Sequence, residues 1–343
     1  MIEARNLTKR YGPQLALDNA SFEVRKGEVL GFLGPNGAGK STTMKILTCF
    51  IAPTEGTASI NGCDIWDDPI GVRASIGYLP ESTPLYTEML VLEYLEFMAA
   101  MRGLKGDAAR KRIKKAVEET DIGDVIAKEI RQLSKGYRQR VGLAQALVHE
   151  PRILILDEPM SGLDPNQAIE IRDLIKSIGK ERTVILSTHN LAEVQVTCQR
   201  VLIVAKGKIV ADDTPEALSS RGRNRYVLHV EKATAKGDVV AAFRSMPGVE
   251  SVRELTTTDP KAIALELVSS TSEDLRALLF RAAVDKGFVL LELRTRGENL
   301  EQVFRDLTLG DESAEDEDDE DEEEDEDDAD DEDDEAGATK ENA

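Results

Sequence analysis

Cysteine is scarce in this 343-residue chain: there are three, Cys49, Cys63 and Cys198, set far apart. The odd count and the absence of zinc-ligand spacing argue against a metal module or a disulfide framework. Reduced thiols in the cytoplasm are the expectation. Long apolar runs are also missing. No stretch approaches the roughly 20 residues needed to span a bilayer, so any work at a membrane requires another chain to do the spanning. The opening residues, MIEARNLTKRYG, hold no apolar core behind their charges and do not read as a secretory signal. A basic excess is absent too. The net charge is −22, but residues 311–343 hold 23 of the 65 acidic residues and one of the 43 basic ones. The preceding 310 residues carry 42 of each sign. The body of the chain is therefore neutral, without the electrostatic footprint of a nucleic-acid binder.

Hydrophobic residues make up 41% of the chain, enough for a globular body. Residues 1–220 read as alternating strands and helices. EVLGFLG (28–34), RILILDEP (152–159) and TVILSTH (183–189) are short apolar runs of the kind buried on both faces of a parallel sheet. KSTTMKILTCF (40–50) reads as a helix, and residues 91–103 and 107–120 as two consecutive helices, a helical insert at about 85–150 in an α/β domain. Residues 223–309 change character. Their expected order is β-α-β-β-α-β, a small α+β ferredoxin-like module. Its second helix, TSEDLRALLFRAAVDKG, is expected to carry a threonine or serine cap and a closing glycine, and a short helix, ENLEQVFRDLT, is expected to follow. Residues 311–343 are almost pure Asp and Glu; such a segment cannot bury enough apolar surface to offset chain entropy and is expected to be disordered.

The stretch GPNGAGKST (34–42) carries the chemistry. Gly34, Gly39, Lys40 and Ser41 match G-x-x-x-x-G-K-[ST], between an expected strand and an expected helix. Gly34, Gly37 and Gly39 are expected to allow the loop torsions and keep side chains out of the phosphate path. The helix N-terminus adds free N–H groups that favour negative charge. Lys40 is placed to reach the β and γ phosphates, and Ser41 to offer its hydroxyl to Mg²⁺. Pro35, Asn36, Ala38 and Thr42 complete the loop. Asp157 ends the run ILILD, where a carboxylate can hold the magnesium shell, and Glu158 beside it can orient or deprotonate the attacking water.

Further segments resemble the ATPase family of ABC transporters. LSKGYRQRVGLAQAL (133–147) resembles the signature sequence and its helix, SGLDP (161–165) the D-loop, and STH (187–189) the end of the switch-histidine strand; Tyr11, in KRYG, matches the adenine-stacking aromatic. These segments keep the family's order across residues 2 to about 220. The resemblance implies a P-loop NTPase core that binds ATP with Mg²⁺, with Ser134 and Gly136 at a second copy's nucleotide, Asp164 of the D-loop among the nucleotide-binding residues, and Glu158 and His189 as catalytic residues. Two departures stand out. Lys135 stands beside Gly136 where the signature usually carries a further glycine, Tyr137 where it carries a glutamine, and YLPES puts Glu81 where the family carries a metal-facing glutamine. An ionised glutamate only accepts hydrogen bonds; Glu81 could still meet Mg²⁺.

Within the family the likeness is to ABC-2-type exporters, including the gliding-motility kind. It implies an ATP-hydrolysing subunit, a homodimer, on the cytoplasmic face of the membrane beside an integral membrane permease, with no nucleic-acid partner. A soluble ABC ATPase acting on nucleic acid or ribosomes is the alternative, disfavoured by the neutral body and the polyanionic end. A small-molecule kinase has no use for the signature segment.

Overall fold

The computed structural model describes residues 1–221, 225–232, 239–257, 259–271, 273–296, 304, 305 and 308. The described residues from Met1 to Thr308 form one compact unit. The acidic segment expected to be disordered, and most of the helix expected at 298–308, lie outside the described residues.

In chain order the first part runs β1 (Ile2–Tyr11), β2 (Gln14–Val24), β3 (Val29–Leu33), α1 (Lys40–Leu47), β4 (Glu55–Ile60), β5 (Cys63–Asp64), α2 (Pro69–Ser75) and β6 (Ile76–Leu79). It continues with α3 (Val91–Met101), α4 (Gly106–Thr120), α5 (Lys135–Leu147), β7 (Ile153–Asp157), α6 (Pro165–Gly179) and β8 (Thr183–Thr188). It closes with α7 (Leu191–Thr197), β9 (Arg200–Ala205), β10 (Lys208–Asp213) and α8 (Pro215–Arg221). The main sheet has the order β10-β9-β3-β8-β7-β6, parallel from β9 to β6.

Every residue of β3, β7 and β8 is buried. The period of two divides them between two cores. Ile153, Ile155, Leu30 and Phe32 face the layer holding α1 and the antiparallel strands, while Leu154, Leu156, Val29 and Leu33 face the helices on the other side. A run apolar on both faces fits only a strand sandwiched between layers.

Strict alternation fails at the start of the chain. β1 and β2 form an antiparallel hairpin that joins β4 and β5 in a second sheet of order β2-β1-β4-β5. Gly12, at φ 57°, makes the hairpin turn. The two strands pair at once because Gly12 and Pro13 leave no length for a helical crossover.

The later part holds β11 (Arg225–Glu231), α9 (Val239–Arg244), β12 (Val249–Leu255), β13 (Ala262–Ser269), α10 (Arg276–Asp285) and β14 (Leu290–Arg296). Its all-antiparallel sheet, β12-β13-β11-β14, encloses a separate core around Tyr226, Leu228, Phe243 and Leu279. This is the ferredoxin-like arrangement. The expected hydroxyl cap on α10 is not what starts it. The helix begins at Arg276, and the Leu275 N–H donates instead to the buried Tyr226 hydroxyl at 2.7 Å, a donor–acceptor pair across 49 residues that no local pattern announces. Its closing glycine, Gly287, does adopt φ 71°.

Candidate functional site

The carboxyl ends of β3, β8 and β7 lie side by side, and the site is built on them. Ligands of open α/β sheets sit outside these ends, beside the point where strand order reverses. Here β3 has β9 on one side and β8 on the other. The loop leaving β3 turns through Gly37 at φ 79° and Gly39 at φ 108°, and Gly39 is the N-cap of α1.

Two of the glycines also answer to neighbouring backbone. A Cβ at Gly34 would collide with the carbonyl oxygen of Val204 on β9, and one at Gly39 would come within 2.6 Å of the Ala16 carbonyl oxygen. Those two keep room for neighbouring backbone. Gly37 has nothing within 4 Å and is required by its torsion alone.

Lys40 is buried, 5% exposed. Its ammonium donates to the carbonyl oxygens of Gly34 at 2.6 Å and Pro35 at 3.2 Å, and lies 3.4 Å from Glu158 Oε1. The other Glu158 oxygen faces His189 Nδ1 at 3.0 Å. One carboxylate thus joins the loop lysine to the histidine after β8. Glu158 itself is in the left-handed region, φ 48°, unusual for a residue with a Cβ. Its N–H is held by the Ser187 hydroxyl at 3.0 Å and the Ser187 carbonyl at 3.2 Å, which offsets that strain.

Asp157 Oδ1 accepts from Ser41 Oγ at 3.1 Å and from Ser187 Oγ at 2.5 Å. Ser187 is fully buried and holds both carboxylate residues, yet in the sequence only its place in STH marked it. Two hard oxygens, Ser41 Oγ and a carboxylate, fit Mg²⁺, which takes few protein ligands and completes its shell with phosphates and water.

A cavity of about 490 Å³ opens over this group, lined by Tyr11, Gln14, the loop from Pro35 to Thr42, Glu81, Glu158, Ser161 and His189. Tyr11 is about half exposed, and the Lys9 ammonium stands 5.3 Å from its ring centroid. Gln14 and Ser161 were not singled out in the sequence. Ser161 stands first in SGLDP, a signal that was there to read. Glu81 reaches the cavity from the loop after β6. Burial pushes the Tyr78 phenol upward, with the Asp157 and Glu81 carboxylates adding to it, so all three groups lie within electrostatic reach.

Ser134, Gly136 and Asp164 do not line this cavity. Ser134 caps α5 by accepting from the Tyr137 N–H at 3.3 Å, and Asp164 caps α6 by accepting from the Gln167 N–H at 2.9 Å. Gly136 is packed so that a Cβ would come within 2.8 Å of Gln167 Oε1. The three therefore form a separate group where α5 meets α6. Lys135 turns its ammonium against Gly162 in the SGLDP loop.

A family model described as ABC transporter matches residues 17–161. The linearmycin resistance ATP-binding protein LnrL of Bacillus subtilis (strain 168) is 30% identical over 90% of this chain and 98% of its own length. The probable multidrug ABC transporter ATP-binding protein YbhF of Escherichia coli (strain K12) is 38% identical over 65% of this chain, which spans 39% of YbhF. Among solved structures, the dimeric bacterial ABC transporter cassette MJ0796 superimposes with a TM-score of 0.58 at 27% identity, covering 63% of this chain and 99% of that one. The phosphate-type loop, its paired carboxylates and these relatives lead to one assignment: the chain belongs to the family of ABC transporter ATP-binding proteins.

Proposed function

We propose that the chain is the ATP-hydrolysing subunit of an ABC-2-type exporter, working as a homodimer on the cytoplasmic face of a membrane. The observation that carries this reading is the chain of contacts from Lys40 through Glu158 to His189, beside Ser41 and Asp157. Adenine stacks on Tyr11, and the loop N–H groups and Lys40 hold the phosphates. Ser41, Asp157 and Glu81 would hold Mg²⁺, which neutralises phosphate charge when bound. Glu158 takes or orients the proton of the attacking water, and His189 holds its outer oxygen. Ser134, Gly136 and Asp164, grouped away from the chain's own cavity, serve the nucleotide of a second copy. ATP then binds the closed dimer far more tightly than the open one, and hydrolysis releases it.

No helix among the described residues is long and apolar enough to cross a membrane. The permease is a separate chain in this reading. It docks in the groove of about 550 Å³ between the segment Tyr78–Tyr86 and α3, where Tyr86, Tyr94 and Phe97 stack edge to face and Met98 and Met101 line the wall. That segment also carries Glu81, so docking and the nucleotide cavity share one loop.

The test is Glu158→Gln. The variant is expected to bind ATP, to lose turnover by at least about 100-fold, and to elute as a dimer in ATP on size-exclusion chromatography. Turnover near the wild-type rate would remove Glu158 from the reaction and this reading with it.

A further inference from the structure

Next to the proposed reacting pair stands a second glutamate to which that reaction gives no part. His189 is about half exposed, and among the described residues its ring has one hydrogen-bond partner, Glu158. An exposed imidazole on a loop has several rotamers open to it. Something must fix the turn that aims it.

Glu193, in the first turn of α7, bonds to both flanks of that turn. Its Oε2 accepts from Thr188 Oγ1 at 2.6 Å, and its Oε1 accepts from Asn190 Nδ2 at 3.4 Å. Thr188 Oγ1 in turn accepts from the Asn190 N–H at 3.0 Å, while Asn190 Oδ1 accepts from the Ala192 N–H at 3.0 Å and caps α7. His189 is the one residue of Thr188–His189–Asn190 whose side chain is left to face the cavity.

We propose that Glu193 is a positioning residue: its carboxylate clamps Thr188 and Asn190 so that the His189 imidazole is held against Glu158. The proposal rests on the reading of Glu158 and His189 as the reacting pair. The clamp is kept at a cost. Burial raises the Glu193 carboxyl above its ordinary range and the Glu158 charge adds to that, while the Thr188 and Asn190 hydrogen bonds and the His189 ring oppose it. The other titratable group beside it is the Cys198 thiol, which feels the Glu193 charge from the far end of α7. A glutamate kept only to favour the N-terminus of α7 would need none of the bonds to the turn.

The test is a double-mutant cycle on the full-length chain. Glu193→Gln is expected to lower kcat for MgATP on the order of tenfold, with KM and Tm close to wild type. In a His189→Ala background the same substitution is expected to change kcat less than about twofold, because there is no imidazole left to position. The chain has three histidines. ¹³Cε1-histidine spectra of Glu193→Gln should therefore show the His189 resonance broadened or moved, with those of His149 and His229 in place, whether or not a membrane partner is present. An equal loss of kcat in both backgrounds, or an unmoved His189 resonance, would overturn the clamp. If His189→Ala alone leaves kcat intact, the reading of His189 falls first and takes the clamp with it.

Discussion

At the scale of single residues, the loop glycines separate two physical demands that the sequence pattern merges. Gly34 gives way to a neighbouring carbonyl, Gly37 to its own torsion, and Gly39 to both. Gly34→Ala is therefore expected to cost about 2–3 kcal/mol, as for an overpacked core. Gly37→Ala, with open space around it, should cost only about 1 kcal/mol of left-handed strain. Urea midpoints of the two variants check the order; equal losses would mean that the approach to Val204 is not limiting. Residue chemistry was largely legible in advance. Lys40, Ser41, Asp157 and Glu158 were named from consecutive letters, because loop shape and strand ends are local properties, and His189 through the family resemblance of STH. Ser187 and Glu193 were not, because their value lies in which oxygen they face across 30 and five residues of chain.

At the scale of elements, α5 does more than carry Ser134. Its Gln139, 5% exposed, accepts from the Thr83 hydroxyl at 2.8 Å, and its Gln145 donates to the Tyr78 carbonyl at 3.0 Å. The first bond ties the helix to the loop that bears Glu81, and the second to β6, from which that loop leaves. Thr83→Val keeps the shape and removes the donor, and is expected to cost about 1–3 kcal/mol because a buried amide oxygen is left unpaired. Adding Gln139→Leu should recover part of that loss, since two apolar partners leave nothing unsatisfied. Equilibrium unfolding of the single and double variants checks the sign of the coupling. The sequence announced α3 and α4 as consecutive helices, and α5 through its likeness to the signature helix. It did not announce the hairpin of β1 and β2, whose pairing depends on a two-residue turn, or the start of α10, which depends on Tyr226.

At the scale of the whole molecule, charge is segregated: the body is neutral and residues 311–343 carry the excess of acid. The pH response of folding is then set by buried groups rather than by net charge. Burial pushes the His149 imidazole down from 6.5 to about 4, with Arg102 adding to it. Its Nε2 pairs with the Ile76 carbonyl oxygen at 3.0 Å, while its buried Nδ1 has no partner among the described residues. The folded chain keeps this ring neutral where the unfolded chain takes a proton. Stability should be full above about pH 6.5 and fall as pH drops toward about 4, by on the order of 2 kcal/mol. His149→Gln, which cannot titrate, is expected to lose less between pH 7.5 and pH 5 in thermal melts; parallel losses would assign the acid response to other groups.

What the sequence determined by itself was everything that nearest neighbours decide: the anion loop, the doubly buried strands, the helical periods and the family they resemble. Tertiary structure decided which of these meet. Ser41 and Asp157 are 116 residues apart, and Glu158 and His189 are 31 apart. They touch because β3, β8 and β7 are adjacent in the sheet, an order set by the packing of whole layers. No stretch of letters encodes that order locally, because a strand's neighbours are chosen by the surface it buries and not by the residues beside it in the chain.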